Sequence, residues 1–117
     1  MSTTRESCYT PAGKYCPFIE FQLDEHRRRT FNTGQLIEFR LDPNPSAEND
    51  KTAPPDKMAL AFSTADVVLL GWRLDMLSNK LRENDVATVR VLPLRYAELD
   101  SFACVVTSIE IKPIEKA

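Results

Sequence analysis

The sequence is poor in the residues on which catalysis most often depends. Its 117 residues include one histidine, three cysteines and three glycines. Nucleophilic catalysis needs a base beside a serine, cysteine or threonine. The only histidine, His26, lies in a charged stretch, and no Gly-x-Ser-x-Gly elbow surrounds any serine. We therefore expect no catalytic residues, and an enzyme would have to take its groups from the polar stretch Asp42–Lys57.

The cysteines predict neither a metal site nor a disulfide framework. Because three is an odd number, they cannot all pair, and none has the Cys-x-x-Cys spacing of a zinc site. Cys8 and Cys16 could form a bridge in an oxidising compartment, whereas in the cytosol we expect free thiols. Cys104 lies in an apolar run and is expected to be a small core residue. We predict no metal and no cofactor.

Charge and hydropathy exclude two further classes of protein. Fifteen lysines and arginines against seventeen aspartates and glutamates leave a formal net charge of −2, so we do not expect a nucleic-acid binder with a basic surface. Glu6 lies where a signal peptide needs an apolar core. The longest apolar run, residues 65–72, is interrupted by Asp66 and is far shorter than the roughly 20 residues of a membrane span. We expect a cytoplasmic protein with no membrane attachment.

Hydrophobic periodicity predicts one α+β domain. Short or alternating apolar runs predict five strands, with a proline-rich loop and a helix between them, in the order β-β-loop-β-α-β-β. We expect a largely antiparallel sheet of about five strands, with one long amphipathic helix packed on one face. The predicted strands are 18–23, 36–41, 58–62, 86–92 and 102–111. The domain is expected to span residues 17–114, after a flexible leader at 1–16 and with a disordered loop at 42–57.

The first two strands alternate between apolar and polar residues. The inward side chains are expected to be Ile19, Phe21 and Leu23 in the first strand and Ile37, Phe39 and Leu41 in the second. Between these strands, residues 24–29 are predicted to be a charged connection and residues 30–34 a turn.

Residues 63–84 are predicted to form the helix. Ser63 and Asp66 have the spacing of a capping box, which also places a negative charge at the positive end of the helix dipole. Phe62 and Val67 would form the accompanying hydrophobic staple. Beyond them, apolar residues recur at every third or fourth position, which is typical of an amphipathic helix.

Three consecutive arginines suggest an anion-binding site. Arg27, Arg28 and Arg29 carry guanidinium groups that could bind a phosphate bidentately, and Arg40 would join them across a loose hairpin. The ligand would be a small anion such as a phosphate or nucleotide. The alternative is a solvated charged turn, partly neutralised by the two acids that precede the arginines.

Gly71, Trp72 and Met76 are candidate interface residues. Glycine inside a helix costs about 1 kcal/mol relative to alanine, so it is usually kept where another backbone approaches closely. That backbone could belong to the same chain or to a second subunit. Trp72 and Met76 would either widen the buried face of the helix or form an apolar anchor for a partner.

These observations favour a non-catalytic interaction or assembly module over an enzyme. One helix cannot cover a five-stranded sheet, and an incompletely covered sheet is a candidate for self-association. We predict a homodimer that forms through a sheet edge or a sheet face. The alternative function is a regulatory domain that binds a small ligand, phosphate or nucleotide through the arginine cluster.

Overall fold

The computed structural model describes residues 9–10, 17–24, 26–49, 52–92 and 104–114. These residues form strands, one α-helix and two short 3₁₀ helices, so the predicted α+β class is confirmed. The strands are β1 (Tyr9–Thr10), β2 (Phe18–Gln22), β3 (Arg28–Asn32), β4 (Leu36–Pro43), β5 (Asp56–Phe62), β6 (Ala65–Trp72), β7 (Thr88–Arg90) and β8 (Val105–Pro113). The helix is α1 (Asp75–Arg82), and the 3₁₀ helices are Thr33–Gln35 and Pro45–Glu48.

The described strands form two sheets of four, where the sequence predicted one sheet of about five. The first sheet has the strand order β1-β7-β2-β3, and the second sheet has the order β4-β5-β6-β8. Neighbouring strands are antiparallel, except that β2 and β7 are parallel. The predicted number of strands was wrong because β1, β3 and β6 are strands in addition to the five expected. The predicted single sheet was wrong because the eight described strands divide into two sheets.

Ala65–Trp72 is a strand, so the helix predicted at 63–84 is wrong over this range. Burial alternates along β6, with Val67 buried and Asp66 exposed. An apolar run of this kind fits the helical and the strand period equally well. Pairing with β5 on one side and β8 on the other makes it a central strand. Ser63 consequently lies in the turn between β5 and β6 and caps no helix.

Arg28–Asn32 is an edge strand, where the sequence predicted a charged connection followed by a turn. It forms an antiparallel hairpin with β2. Phe31 is its one buried residue, and the other four are exposed. A strand with a single apolar residue has no visible alternation, which is why the sequence pattern did not predict it.

A bulge in β4 turns Ile37 towards solvent. The register between β4 and β5 steps from Leu36 to Glu38 and leaves Ile37 without an opposite residue. Ile37 is 72% exposed, so its predicted inward position is wrong. The inward positions predicted for Ile19 and Phe21 in β2 are confirmed, since both are buried.

Helix α1 has eight residues and begins well after the predicted start. The carboxylate of Asp56 accepts a hydrogen bond from the backbone amide of Leu74 at 3.0 Å, immediately before the first turn. Leu77 is buried in the core. The helix ends before Asn84, which takes the left-handed conformation with φ of 55° that often follows a helix. The packing of this helix on one sheet face stays a prediction.

The connection between β4 and β5 is shorter than the loop predicted at 42–57. Strand β4 continues to Pro43, and β5 begins at Asp56. Asn44 is buried, and its side-chain amide donates to the backbone carbonyl of Pro54 at 2.7 Å. This bond joins the two ends of the connection. The predicted disorder of the loop stays a prediction.

Part of the predicted leader belongs to the first sheet. Tyr9 and Thr10 pair with β7, and the guanidinium of Arg90 donates to the hydroxyl of Thr10 at 2.5 Å. The rest of the leader, with Cys8 and Cys16, lies outside the described residues. Within them, Cys104 is a buried thiol, in agreement with its predicted place in the core.

Three phenylalanine rings join the two sheets in the core. Phe31 of the first sheet stacks on Phe62 of the second, with ring centroids 4.6 Å apart and an interplanar angle of 23°. Phe21 meets both rings edge-on, at 5.9 Å from Phe31 and 6.1 Å from Phe62. All three are buried, so the inner faces of the two sheets enclose one core.

Gly71 lies where the backbones of β6 and β8 come too close for a side chain. A Cβ atom at this position would collide with the carbonyl oxygen of Val105 and lie 2.9 Å from its carbonyl carbon. The approaching backbone predicted from the sequence therefore belongs to the same chain. The register between β6 and β8 also shifts here, between Leu70 and Gly71.

We expect Gly71→Ala to destabilise the fold. Separating β6 from β8 to admit a methyl group should cost about 1–3 kcal/mol of unfolding free energy, as overpacking of a core does. The measurement is urea unfolding followed by circular dichroism. Gly34→Ala is the control, because a Cβ there lies 3.1 Å from the side-chain oxygen of exposed Asn32 and meets no backbone. Equal stability of the two variants would contradict this explanation.

Candidate functional site: the outer face of the second sheet

The arginine run predicted as an anion site begins at a hydrogen-bonded turn. The Asp24 carboxylate accepts the backbone amides of His26 and Arg27, each at 2.8 Å, and the Nε of Arg27 at 2.7 Å. The hydrogen bond from the His26 amide, followed by that from the Arg27 side chain, lowers the pKa of Asp24 below its ordinary value of 3.8. The Arg27 guanidinium is therefore already bound to a carboxylate.

The next two arginines lie on opposite faces of the first sheet. Arg29 is opposite Phe21 and shares the inner face with Phe31, with its guanidinium 5.6 Å from the centre of the Phe31 ring. This distance allows a cation–π contact. Arg28 is opposite Gln22, on the other face of the hairpin. Successive side chains of a strand point to opposite faces, so neighbours in sequence are separated in space.

Arg40 lies on the second sheet and faces away from the core. Its register partner is Ala59, and its guanidinium lies 3.8 Å from the carboxylate of Asp42. Arg29, by contrast, lies on the side of the structure where Phe31 packs against the inner face of the second sheet. The structure does not bring the four predicted arginines onto one surface. Phosphate binding by any one of them stays a prediction.

Residues that alternate with the core form the outer face of the second sheet. The strand register arranges this face in three rows, each crossing β4, β5, β6 and β8 in that order. The rows are Glu38, Ala61, Asp66 and Lys112; Arg40, Ala59, Val68 and Glu110; and Asp42, Lys57, Leu70 and Ser108. Every one of these twelve residues is exposed or half-buried, so none is covered as a core residue would be.

The centre of this face is small and apolar. Ala59, Ala61, Val68 and Leu70 lie on the two central strands and are half-buried. A shallow groove with a volume of about 470 Å³ lies over these strands. Glu38 and other charged residues line it on the β4 side. Apolar residues on an outward sheet face are a recurrent mark of an interaction surface.

The two edges of the face carry charges of both signs. On β4, Arg40 lies between Glu38 and Asp42 on the same face, and on β8 the ammonium of Lys112 is 3.5 Å from the carboxylate of Glu110. All of these side chains are well exposed, so ion pairs within the chain stabilise it little. Their charged groups therefore face solvent.

The predicted interface residues have different positions. Gly71 is buried against β8 within the chain, as described above. Trp72 follows it and, by the alternation of β6, continues the outer face beyond the three rows, where it is half-buried. Met76 is on α1 and is 40% exposed. Trp72 is thus the one of the three that lies beside the candidate face.

A second, smaller cavity lies beside the first 3₁₀ helix. Its volume is about 210 Å³, and its lining includes Ile19, Leu36, Leu81 and Val86, together with a few small polar residues. The residues around it include no charged side chain that could hold or activate a ligand. This cavity is a gap in the packing between elements, and its lining does not suggest a catalytic or ligand-binding site.

Within the described ranges the structure has no group of three or more histidine, cysteine, aspartate or glutamate side chains that could bind a metal ion. The same ranges contain no helix long and apolar enough to cross a membrane. His26 lies exposed in the turn before β3, with its backbone amide bound to Asp24.

The chain was also compared with known proteins. No protein-family model matches it, and neither a curated protein nor a solved structure does.

Of the twelve residues of the outer face, the sequence analysis singled out only Arg40 as a candidate site residue, for anion binding. Val68 was assigned to a helix, and Glu110 lay in a predicted strand, 102–111, that ended before Lys112. The available signal was alternation: Ala59 and Ala61 alternate with three buried residues in β5. Alternation identifies an outward face, but only the register shows that these outward residues lie beside one another.

We expect the Asp24 carboxyl to titrate below 3.8 and Arg27→Ala to raise its pKa part of the way back, because the amide of His26 still donates. The pKa is lowered by folding, so the turn gains stability above the unfolded pKa and loses it as the pH falls through the folded pKa. The measurement is a carbon-13 NMR titration of the carboxyl. Arg28→Ala is the control and should leave the curve unchanged. An equal shift in both variants would disprove the assigned cause.

Proposed function

We propose that this chain is a non-catalytic assembly module that forms a homodimer through the outer face of the second sheet. The observation that carries the proposal is the composition of that face, with small apolar residues in the centre and charges of both signs at the edges. When one face of an antiparallel sheet is in contact with water, the residues on that face are normally polar. Here the central positions Ala59, Val68 and Leu70 have no such side chains.

Two sheets can pack face to face with their strands nearly aligned. The separation is about 10 Å when ordinary side chains lie between the sheets, and small side chains in the centre allow the two faces to approach without bending either sheet. The side chains of Ala59 and Ala61 are short, so the middle of the face is shallow. The long charged side chains of β4 and β8 project further from the sheet at its edges. This shape encloses the apolar centre when a second face of the same kind lies on it.

The proposal uses only part of what the sequence predicted. Self-association through a sheet face is retained, and Trp72 extends the face at one end. Gly71 is explained by packing within the chain, so it has no part in the dimer contact. The cytoplasmic location stays a prediction from the sequence. Dimerisation through this face requires no particular compartment.

We expect the protein to be a dimer at roughly 100 μM, since a face of this limited size corresponds to the weaker, reversible class of interface. Native mass spectrometry and light scattering after gel filtration measure the state directly. Val68→Arg should convert the dimer to a monomer, because it places a charge at the middle of the apolar centre.

Thr30→Arg is the matched control for Val68→Arg. Thr30 is exposed in β3 and lies opposite Glu20, so the substitution adds the same charge on a different sheet. This variant should remain a dimer, and circular dichroism should show both variants folded. A monomeric wild-type protein at this concentration, or a dimer that survives Val68→Arg, would overturn the proposal.

A further inference from the structure

We infer that the two copies are related by a two-fold axis that runs parallel to the strands, so that the β4 edge of one copy lies on the β8 edge of the other. This inference rests on the proposed function, since it specifies the partner surface of the same face. It follows from the order of charges along the two edges. Along β4 the order is Glu38 then Arg40, and in the same rows of β8 it is Lys112 then Glu110.

A rotation about this axis keeps each row in register with the same row of the second copy and exchanges its two ends. Glu38 then faces Lys112 of the second copy, and Arg40 faces its Glu110. Each pair occurs twice by symmetry, so four complementary contacts surround the interface. In the third row Asp42 faces the neutral Ser108, and no like charges meet at either edge.

The same rotation pairs apolar residues in the middle row, whereas in the outer rows Ala61 faces Asp66 of the second copy and Leu70 faces its Lys57. Ala59 of the middle row faces Val68 of the second copy, a small residue against a larger one, which suits interdigitation of two sheet faces. The charged residues of the central strands, Lys57 and Asp66, belong to the outer rows. They therefore lie at the ends of the contact, where water can reach them.

The other aligned arrangement is disfavoured by charge. An axis perpendicular to the strands places β4 on β4 and β8 on β8. Arg40 would then face Arg40, Glu110 would face Glu110, and Glu38 would face Asp42 of the second copy. Like charges brought together at an interface lose affinity and suppress that mode of association. The charge pattern thus selects one of the two arrangements.

Charge reversal along one edge tests the axis without altering the net charge. The first variant carries Glu38→Lys and Arg40→Glu, and the second carries Glu110→Lys and Lys112→Glu. Each alone should weaken homodimerisation by at least about tenfold, because both edge pairs become like-charged. An equimolar mixture should form the heterodimer, in which all four pairs are again complementary. A chain with all four substitutions should recover the homodimer.

The outcomes separate this inference from the proposed function. If the wild-type chain is monomeric, the proposed function fails and the inference fails with it. If the wild-type chain is a dimer that Val68→Arg disrupts, while each reversed variant dimerises as tightly as wild type, the face is correct and the axis is wrong. Loss in both single-edge variants with recovery in the mixture establishes the axis, and recovery also demonstrates that the variants fold.

A second measurement uses unreversed edges, in case a reversed variant does not fold. A bis-maleimide that spans about 10 Å, the separation of packed sheets, should join Arg40→Cys to Glu110→Cys when chains with each substitution are mixed. Peptide mapping by mass spectrometry identifies the linked positions. Cross-linking of Arg40→Cys with itself in preference to the mixture would overturn the parallel axis. Wild-type association should also weaken as salt is raised, because the edge pairs are exposed to solvent.

Discussion

The fold depends on the contact between Phe31 and Phe62, because this contact joins two sheets that each have one apolar face. Neither inner face could stay exposed to water, since each carries several large apolar side chains. Phe31 belongs to an edge strand that is otherwise polar, so the first sheet is anchored at this edge by one ring. Stacking, together with the edge-on contacts of Phe21, fixes the separation of the sheets at the core. Because the inner faces are buried against each other, only the outer faces are exposed to solvent and to any partner.

The sequence predicts those features of this architecture that depend on residues close together in the chain, and it misses those that depend on pairing between distant strands. The inward positions in β2 and the buried Cys104 follow from alternation or from an apolar run, and they are confirmed. The strand at Ala65–Trp72 was mistaken for a helix because its apolar residues satisfy both periods. What decides between the periods is pairing with β5 and β8, and β8 is far along the chain. Ile37 was misplaced for a related reason, because a bulge is defined by the partner strand as well as by the bulged one.

The candidate site shows the same distinction between proximity in sequence and proximity in space. Three adjacent arginines look like a cluster, but a strand directs neighbouring side chains to opposite faces, and Arg27 is already bound to Asp24. Residues that are distant in sequence are aligned instead: Glu38 and Lys112 are the two ends of one row of the second sheet. No local pattern reveals such a row, because it exists only when three registers are known together. The outer face therefore had to be found from the structure.

The order of charges on that face is informative because register cannot vary freely. A one-residue slip of β4 would turn Leu36 and Phe39 away from the core against which they pack, and a slip of β8 would do the same to Ile109 and Ile111, so packing of the inner face disfavours such a slip. The inner core of the chain thus determines which charged residues face outward, and the strand register sets their rows. In this way the Phe31 and Phe62 contact is connected to the proposed association: it holds the inner faces together and leaves the rows of the outer face, whose charges would determine which orientation of a second copy is complementary.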